Sequence, residues 1–261
     1  MARKEDYIAV FDSGIGGISV LRELMRLMPG ERYLYFGDSA NAPYGARTTE
    51  QVRALTLAAA EKLFDRGVKA LVVACNTATA AAIDLLRQTY PDRIIVGIEP
   101  AVKVAAEVCI GGNIGVMATP LTLREEKFNQ LLERFDNVAV TPISAPELVG
   151  LIESGAPNAQ IEDYLQPILA PYRGKLDAVV LGCTHYPFVS GIIGKLLGEK
   201  TRLVHGSAGT AKQTMRRLEQ AALLENGTGE LIMENSAGDT DIVKRATELL
   251  KERETGSWES K

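Results

Sequence analysis

Two cysteines stand at the ends of two apolar segments that share one pattern. Segment 72–80, VVACNTATA, and segment 179–187, VVLGCTHYP, each run apolar residues into a cysteine, polar residues and a helical pattern. A helix N-terminus lowers the pKa of a thiol because it supplies partial positive charge. Its free N–H groups also bind carboxylates. The pattern therefore predicts reactive thiols at Cys75 and Cys183, beside a position that can hold a carboxylate.

The other uses of cysteine fit this chain less well. Cys109 lies in a helical pattern and is predicted to be a small buried hydrophobe. Three cysteines form no disulfide framework, so we expect all of them to be reduced. Cys183 and His185 could supply two zinc ligands, but the chain has no C-x2-C pair and only one other histidine, His205. A cysteine–histidine hydrolase with Cys183 as nucleophile stays open, although it gives Cys75 no role.

The segment FDSGIGGISVL, residues 11–21, places Asp12 and Ser13 after an apolar run and before a glycine-rich turn. Its glycines do not match the G-x-G-x-x-G spacing of a dinucleotide loop, because Ser19 stands at the third glycine position. We therefore expect no NAD. Asp12 and Ser13 are predicted to point into a cleft, where Asp12 could bind an ammonium group or assist a base; capping the following helix is the alternative.

Apolar, β-rich segments alternate with helical patterns along the 261 residues. Most of the strand candidates are continuously apolar, as strands buried on both faces of a parallel sheet are. They cover residues 7–11, 33–37, 70–75, 94–98, 114–118, 138–143, 178–183, 201–206 and 231–235. Capping and stop signals predict helices over 48–67 and 238–254. The alternation predicts an α/β fold with parallel sheets.

A weak internal repeat predicts two similar lobes. IAVFDSG at 8–14 resembles IGVMATP at 114–120, and LVVACNTA at 71–78 resembles VVLGCTHY at 179–186. Ligands of open α/β sheets bind at the carboxyl ends of the strands. Two lobes that face one another would therefore bring both cysteines to one cleft.

The overall charge excludes some partners. The net charge is −4, which argues against a general nucleic-acid binder. No segment is long and apolar enough to span a membrane, and the first residues do not form a signal peptide. We therefore expect a cytoplasmic enzyme that binds neither nucleic acid nor membrane.

Six segments together resemble glutamate racemase, within the wider aspartate/glutamate racemase superfamily. They are FDSGIGGISVL, YFGDSANAPYG, VVACNTATA, GVMATPLT, ELVGLIESG and LGCTHYPF, in the order and spacing of the family. The resemblance implies two α/β lobes related by pseudo-symmetry, with the active site between them. It implies interconversion of L- and D-glutamate without a cofactor or a metal, supplying D-glutamate for peptidoglycan, and commonly a homodimer.

The resemblance also implies residue roles. Cys75 and Cys183 match the two acid–base residues; Asp12 would assist Cys75 on the D-face of the substrate, and His185 would assist Cys183 on the L-face. The positions that match substrate-contacting segments are Asp12, Ser13, Pro43, Tyr44, Gly45, Asn76, Thr77, Thr119, Thr122, Glu153, Thr184 and His185.

Comparison with the family also gives boundaries, differences and rival functions. The first lobe is predicted to hold residues 1–98 and 208–261, the second 99–207. Glu125, Phe128 and His205 replace residues usual in the family. The chain begins shortly before its first strand, so we expect no activation by a cell-wall nucleotide precursor. The alternatives are a racemase of another acidic amino acid such as aspartate, and a non-catalytic protein that binds gyrase.

Overall fold

The protein contains two parallel β-sheets. The computed structural model describes residues 2–98, 101–109, 111–124 and 138–251. The first sheet is formed by β1 (Ile8–Asp12), β2 (Arg32–Gly37), β3 (Ala70–Val73), β4 (Ile94–Gly97) and β9 (Glu230–Asn235). The second is formed by β5 (Asn113–Ala118), β6 (Ala139–Ser144), β7 (Ala178–Leu181) and β8 (Arg202–His205). Each predicted strand segment is therefore confirmed, and its predicted ends lie within two residues of the observed ends.

Helices lie between the strands. They are α1 (Ile18–Leu27), α2 (Thr49–Asp65), α3 (Asn76–Thr89), α4 (Val102–Val108), α5 (Pro120–Arg124), α6 (Leu148–Glu153), α7 (Asn158–Leu169), α8 (Ser190–Leu197), α9 (Ser207–Gln220) and α10 (Thr240–Lys251). Helix α2 begins with a capping box between Thr48 and Gln51, and Gly67 follows it with a φ of +77°. Both predicted helices are thus confirmed; residues 252–254 of the second lie outside the described residues. No helix in the described residues is long and apolar enough to cross a membrane.

The two sheets repeat one topology. The first has the order β4-β3-β1-β2-β9, and the second has the order β6-β5-β7-β8. Read from β2, the first sheet runs β2-β1-β3-β4, so β1 corresponds to β5 and β3 corresponds to β7. Strand β9 extends the first sheet beyond this shared set. The predicted pair of similar α/β lobes is confirmed; we call the first sheet and its helices the first lobe, and the second sheet and its helices the second lobe. The residue boundaries between the lobes stay a prediction.

Both faces of each sheet are covered. In β1, Ala9 and Phe11 enter one apolar cluster while Ile8 and Val10 enter the cluster on the opposite face. Burying each large apolar side chain stabilises the fold by about 1.5–3 kcal/mol. Burial on both faces explains why these strands are apolar without alternation. Polar side chains follow where the strands end, at the edge where the site lies.

A buried ion pair fixes the segment that precedes β9 within the first lobe. Lys69 Nζ lies 2.6 Å from Glu31 Oε2, and both side chains are fully buried. The ammonium also donates to the carbonyl of Leu223 at 3.0 Å, and Glu31 Oε1 accepts from the N–H of Glu225 at 2.8 Å. Segment 223–225 is therefore fixed to the starts of β2 and β3, which keeps β9 beside β2.

Candidate active site

Cys75 lies at the end of β3 and caps α3. Its Sγ accepts a hydrogen bond from the N–H of Ala78 at 3.4 Å, as a capping side chain does. The Oγ of Ser13 lies 3.5 Å from the same sulfur. The predicted helix N-terminus after Cys75 is therefore confirmed.

The predicted lowering of the Cys75 pKa is wrong. Burial and the nearby carboxylate of Asp12 raise this pKa to about 12, against smaller lowering effects of Ser13 and Ala78. A buried thiolate loses hydration, and a neighbouring negative charge repels it. These two effects exceed the stabilisation that one helix end supplies. Cys75 is therefore a neutral thiol in this arrangement.

Cys183 follows β7, the counterpart of β3, but the chain around it differs from the prediction. A 3₁₀-helix over Tyr186–Val189 comes before α8, so no α-helix begins directly after Cys183. The N–H groups of Tyr186 and Phe188 donate three residues back, to the carbonyls of Cys183 and His185. Pro187 has no N–H and cannot join an α-helical ladder. The result is a tight turn that carries Cys183, Thr184 and His185.

His185 connects Cys183 with Glu153. Its Nδ1 lies 3.7 Å from the sulfur of Cys183, and its Nε2 lies 2.8 Å from Glu153 Oε1. Burial opposes the charged imidazolium, but Cys183 and Glu153 outweigh it and raise the pKa of His185 well above its usual range. Burial likewise opposes the charge of Glu153, but the histidine and the N–H of Ile15 lower the pKa of this carboxyl. The geometry favours an imidazolium between a carboxylate and a sulfur.

Asp12 ends β1 and joins the lobes. It is fully buried, and its Oδ1 accepts from the N–H of Gly14 at 2.9 Å. Its Oδ2 accepts from Thr184 Oγ1, across the lobes, at 3.0 Å. Burial raises the pKa of Asp12, although His185 pulls it down. Asp12 thus acts on Cys75 through charge, whereas Ser13 lies at hydrogen-bond distance from that sulfur.

Two glycines after Ser13 permit close packing. A Cβ on Gly16 would lie 2.3 Å from His185 Nδ1 and 2.5 Å from Thr184 Oγ1. A Cβ on Gly17 would lie 2.8 Å from the Cβ of Asp12. Real Cβ atoms do not approach neighbours so closely. Gly16 therefore lets the turn after Cys183 pack against the first lobe, and Gly17 permits close packing within the first lobe.

Three threonine hydroxyls form a second contact between the lobes. Thr77 Oγ1 lies 3.0 Å from Thr119 Oγ1 and 3.1 Å from Thr122 Oγ1, and the latter two are 3.0 Å apart. Asn76 is buried beside them, and its Oδ1 accepts no hydrogen bond from the described residues. Together with the N-terminus of α3, these groups could hold a polar ligand between the lobes.

The loop after β2 borders this hydroxyl cluster. Gly45 packs against Thr119, since a Cβ there would lie 2.8 Å from the threonine Cβ. Tyr44 is buried and donates its hydroxyl hydrogen to Asp38 Oδ2 at 2.6 Å, whereas Pro43 is exposed. We did not single out Asp38 from the sequence. The signal was present, because an aspartate follows β2 as Asp12 ends β1.

The remaining predicted positions have separate outcomes. Cys109 packs in an apolar cluster of the second lobe, which confirms its structural interpretation. All three cysteines are free, as expected. His205 ends β8 and is half-buried. Glu125 and Phe128 lie outside the described residues.

A model of one protein family matches most of the chain. The match is to the Asp/Glu/hydantoin racemase family and covers residues 16–214, which include Cys75 and Cys183. This chain belongs to the Asp/Glu/hydantoin racemase family. It is 44% identical over 256 residues to a glutamate racemase of Clostridium botulinum, a match that covers 96% of this chain and 99% of that one. It is 48% identical to one of Clostridium kluyveri, over 94% and 97% of the two chains.

Solved structures of the family share the fold. A glutamate racemase isoform of Bacillus anthracis, RacE1, has a TM-score of 0.86 at 30% identity and covers 96% of both chains. A glutamate racemase of Francisella tularensis in complex with D-glutamate has a TM-score of 0.84 at 27% identity, over 96% of this chain and 95% of that one. The resemblance stated from the sequence is therefore confirmed, as is the expected class of enzyme, an isomerase.

Proposed function

We propose that this protein interconverts L- and D-glutamate by proton transfer at Cα, with Cys75 and Cys183 as the two acid–base groups. The observation that carries the proposal is the pair of buried thiols at the ends of β3 and β7, the corresponding strands of the two lobes. Each thiol has its own polar neighbour, Ser13 on one side and His185 on the other. The names of the relatives support glutamate as the substrate.

The reaction requires one deprotonated group and one protonated group. One thiolate takes the α-proton from one face of Cα, and the electron pair of the C–H bond stays on carbon. The thiol on the opposite face then gives its proton to that carbon, and the two cysteines end with exchanged protonation. Two fixed groups can do this without moving, whereas one base would have to change faces.

The electrostatics of the site support one acid and one base. Cys75 is a thiol at neutral pH, because burial and Asp12 raise its pKa to about 12. Cys183 faces His185, whose raised pKa places positive charge beside this sulfur. A substrate ammonium near Asp12 would offset the carboxylate charge and lower the barrier to ionising Cys75, so the roles can reverse.

The intermediate carries negative charge that must be stabilised. The N-terminus of α3 and the amide of Asn76 lie beside Cys75 and could bind the α-carboxylate, into which the charge extends. The hydroxyls of Thr77, Thr119 and Thr122 offer donors for the second carboxylate. Packing of the two lobes excludes water and strengthens these interactions.

The test uses the purified, reduced protein with each enantiomer of glutamate in D2O and no added cofactor. Circular dichroism follows the rotation, and NMR follows the loss of the α-proton. We expect racemisation in both directions, lost in Cys75→Ala and in Cys183→Ala. Cys109→Ala is the matched control, because this buried cysteine lies in an apolar cluster and should keep activity.

The same measurements separate the alternatives. A wild type that leaves both enantiomers of glutamate unchanged would remove glutamate as substrate. Exchange of the α-proton of aspartate under the same conditions would then favour the aspartate alternative. A protein inactive on both, yet retained on immobilised gyrase, would support the binding function. Supply of D-glutamate to peptidoglycan and assembly as a homodimer are further parts of the proposal, to be tested by depletion in cells and by light scattering.

A further inference from the structure

Ser19 reaches from the first lobe to the turn that carries Cys183. It lies in the first turn of α1 and is fully buried. Its Oγ lies 2.9 Å from the carbonyl oxygen of Thr184 and 2.9 Å from that of Gly16, so one hydroxyl hydrogen is shared between them. A hydroxyl placed in this way connects the N-terminal turn of α1 to the second lobe.

Thr184 is consequently held at two points. Its side chain donates to Asp12 Oδ2 at 3.0 Å, and its backbone carbonyl accepts from Ser19. The residue before it is Cys183 and the residue after it is His185, so the anchored backbone sits between the sulfur and the imidazole. The absence of a Cβ on Gly16 leaves room for the same turn.

We propose that Ser19 is a positioning residue for Cys183, acting through the backbone of Thr184. This inference rests on the proposed two-thiol mechanism. The hydroxyl fixes the distance and direction of the Cys183 sulfur relative to the first lobe, where Cys75 lies. Ser19 contacts the backbone next to Cys183 directly, whereas it is linked to Cys75 only through Thr184 and Asp12, so its loss should disturb the transfer at Cys183 more than the transfer at Cys75.

Ser13 supplies a matched comparison within the same segment. Both are serines of the segment 11–21, and both are buried, but Ser13 Oγ lies 3.5 Å from Cys75 Sγ. Ser13→Ala should therefore weaken the transfer at Cys75, and Ser19→Ala the transfer at Cys183. Each change removes one hydroxyl, so the two variants differ in which sulfur they affect.

The test measures kcat/KM for L- and D-glutamate, each with hydrogen or deuterium at Cα. For Ser19→Ala we expect kcat/KM to fall about tenfold in both directions, equal to about 1.4 kcal/mol. The isotope effect should rise with the enantiomer that Cys183 deprotonates, because that step becomes more rate-limiting. It should fall with the other enantiomer, and Ser13→Ala should give the opposite split.

A purely structural role gives a different result. Loss of folded enzyme lowers every rate by one factor and leaves both isotope effects as in the wild type, which would overturn the proposal. If Ser19→Ala does not fold, Ser19→Cys replaces it; because a thiol is a much weaker donor than a hydroxyl, the same split is expected in smaller size, and unsplit isotope effects there overturn the proposal equally. A wild type without α-proton exchange refutes the proposed function, whereas an active wild type with unsplit variants refutes only the role of Ser19.

Discussion

Replacing Gly16 with alanine tests whether close packing of the lobes holds the site. Gly16 does not have a positive φ, so its backbone can accept alanine without strain. The added Cβ would lie 2.3 Å from His185 Nδ1, 2.5 Å from His185 Cε1 and 2.5 Å from Thr184 Oγ1. Two buried side chains that follow Cys183 would therefore be pushed at once.

The size of the effect follows from these distances. Ordinary contacts of a Cβ begin at 3.4 Å, so the imidazole must move by about 1 Å. A displacement of this size at a catalytic group costs about 100-fold in rate, equal to about 2.7 kcal/mol of transition-state stabilisation. Overpacking of a buried contact lowers the free energy of unfolding by about 1–3 kcal/mol.

The assay compares Gly16→Ala with Gly209→Ala. Gly209 is exposed in α9, and a Cβ there would meet no heavy atom within 4 Å, so alanine should raise stability slightly and leave kcat/KM unchanged. Racemisation is followed by circular dichroism and unfolding by temperature. If Gly16→Ala keeps kcat/KM within about threefold of the wild type, at about the same melting temperature, then close packing at this glycine does not set the geometry of His185.

Two further changes address charged pairs, one fully buried and one partly buried. Lys69→Met should lower the free energy of unfolding, measured in urea, by about 3–5 kcal/mol, because it leaves the carboxylate of Glu31 buried and unpaired. Adding Glu31→Gln should recover part of this loss, and a double variant without recovery would contradict the explanation. Lys195→Met, in an exposed ion pair, is the control and should change stability little. Glu153→Gln removes a negative charge that helps to raise the pKa of His185. In a plot of kcat/KM against pH, the alkaline limb should therefore move to lower pH. Since folding raises this pKa, the stabilisation by the pair is fully present below the ordinary value of 6.5 and lost as pH rises through the folded value. The melting temperatures of the wild type and of Glu153→Gln, measured across pH, should therefore converge on the alkaline side. Parallel curves would argue against a stabilising His185–Glu153 pair.

The sequence predicted the strands and the repeat because each rests on local chemistry. Strands covered on both faces need continuous apolar residues, and β1 and β7 have them. The helix after Cys75 also follows from local signals, since Asn76 and Thr77 open a run of helix-forming residues. At Cys183 the local signal failed, because Pro187 turns the chain into a 3₁₀-helix first.

Properties that depend on distant parts of the chain were not predictable. The pKa of Cys75 is set by burial between packed elements and by Asp12, and neither is visible in the residues next to the thiol. The Lys69–Glu31 pair and the contact of Ser19 with Thr184 join segments far apart in the sequence. Such contacts follow from the way the elements pack against one another, which the sequence patterns did not specify.

The repeated topology and the unequal surroundings of the thiols answer different needs of the proposed reaction. Corresponding strands bring Cys75 and Cys183 to the same edge of each sheet, as proton transfer on opposite faces of one carbon requires. The proposed reaction needs one thiol and one thiolate at a time, since neither two thiols nor two thiolates can carry it out. The lobes differ at this point: Cys75 has the neutral Ser13 and a nearby carboxylate, whereas Cys183 has a histidine whose pKa is raised. A symmetric fold therefore places two thiols in unequal electrostatic surroundings, as the proposed division into one acid and one base requires.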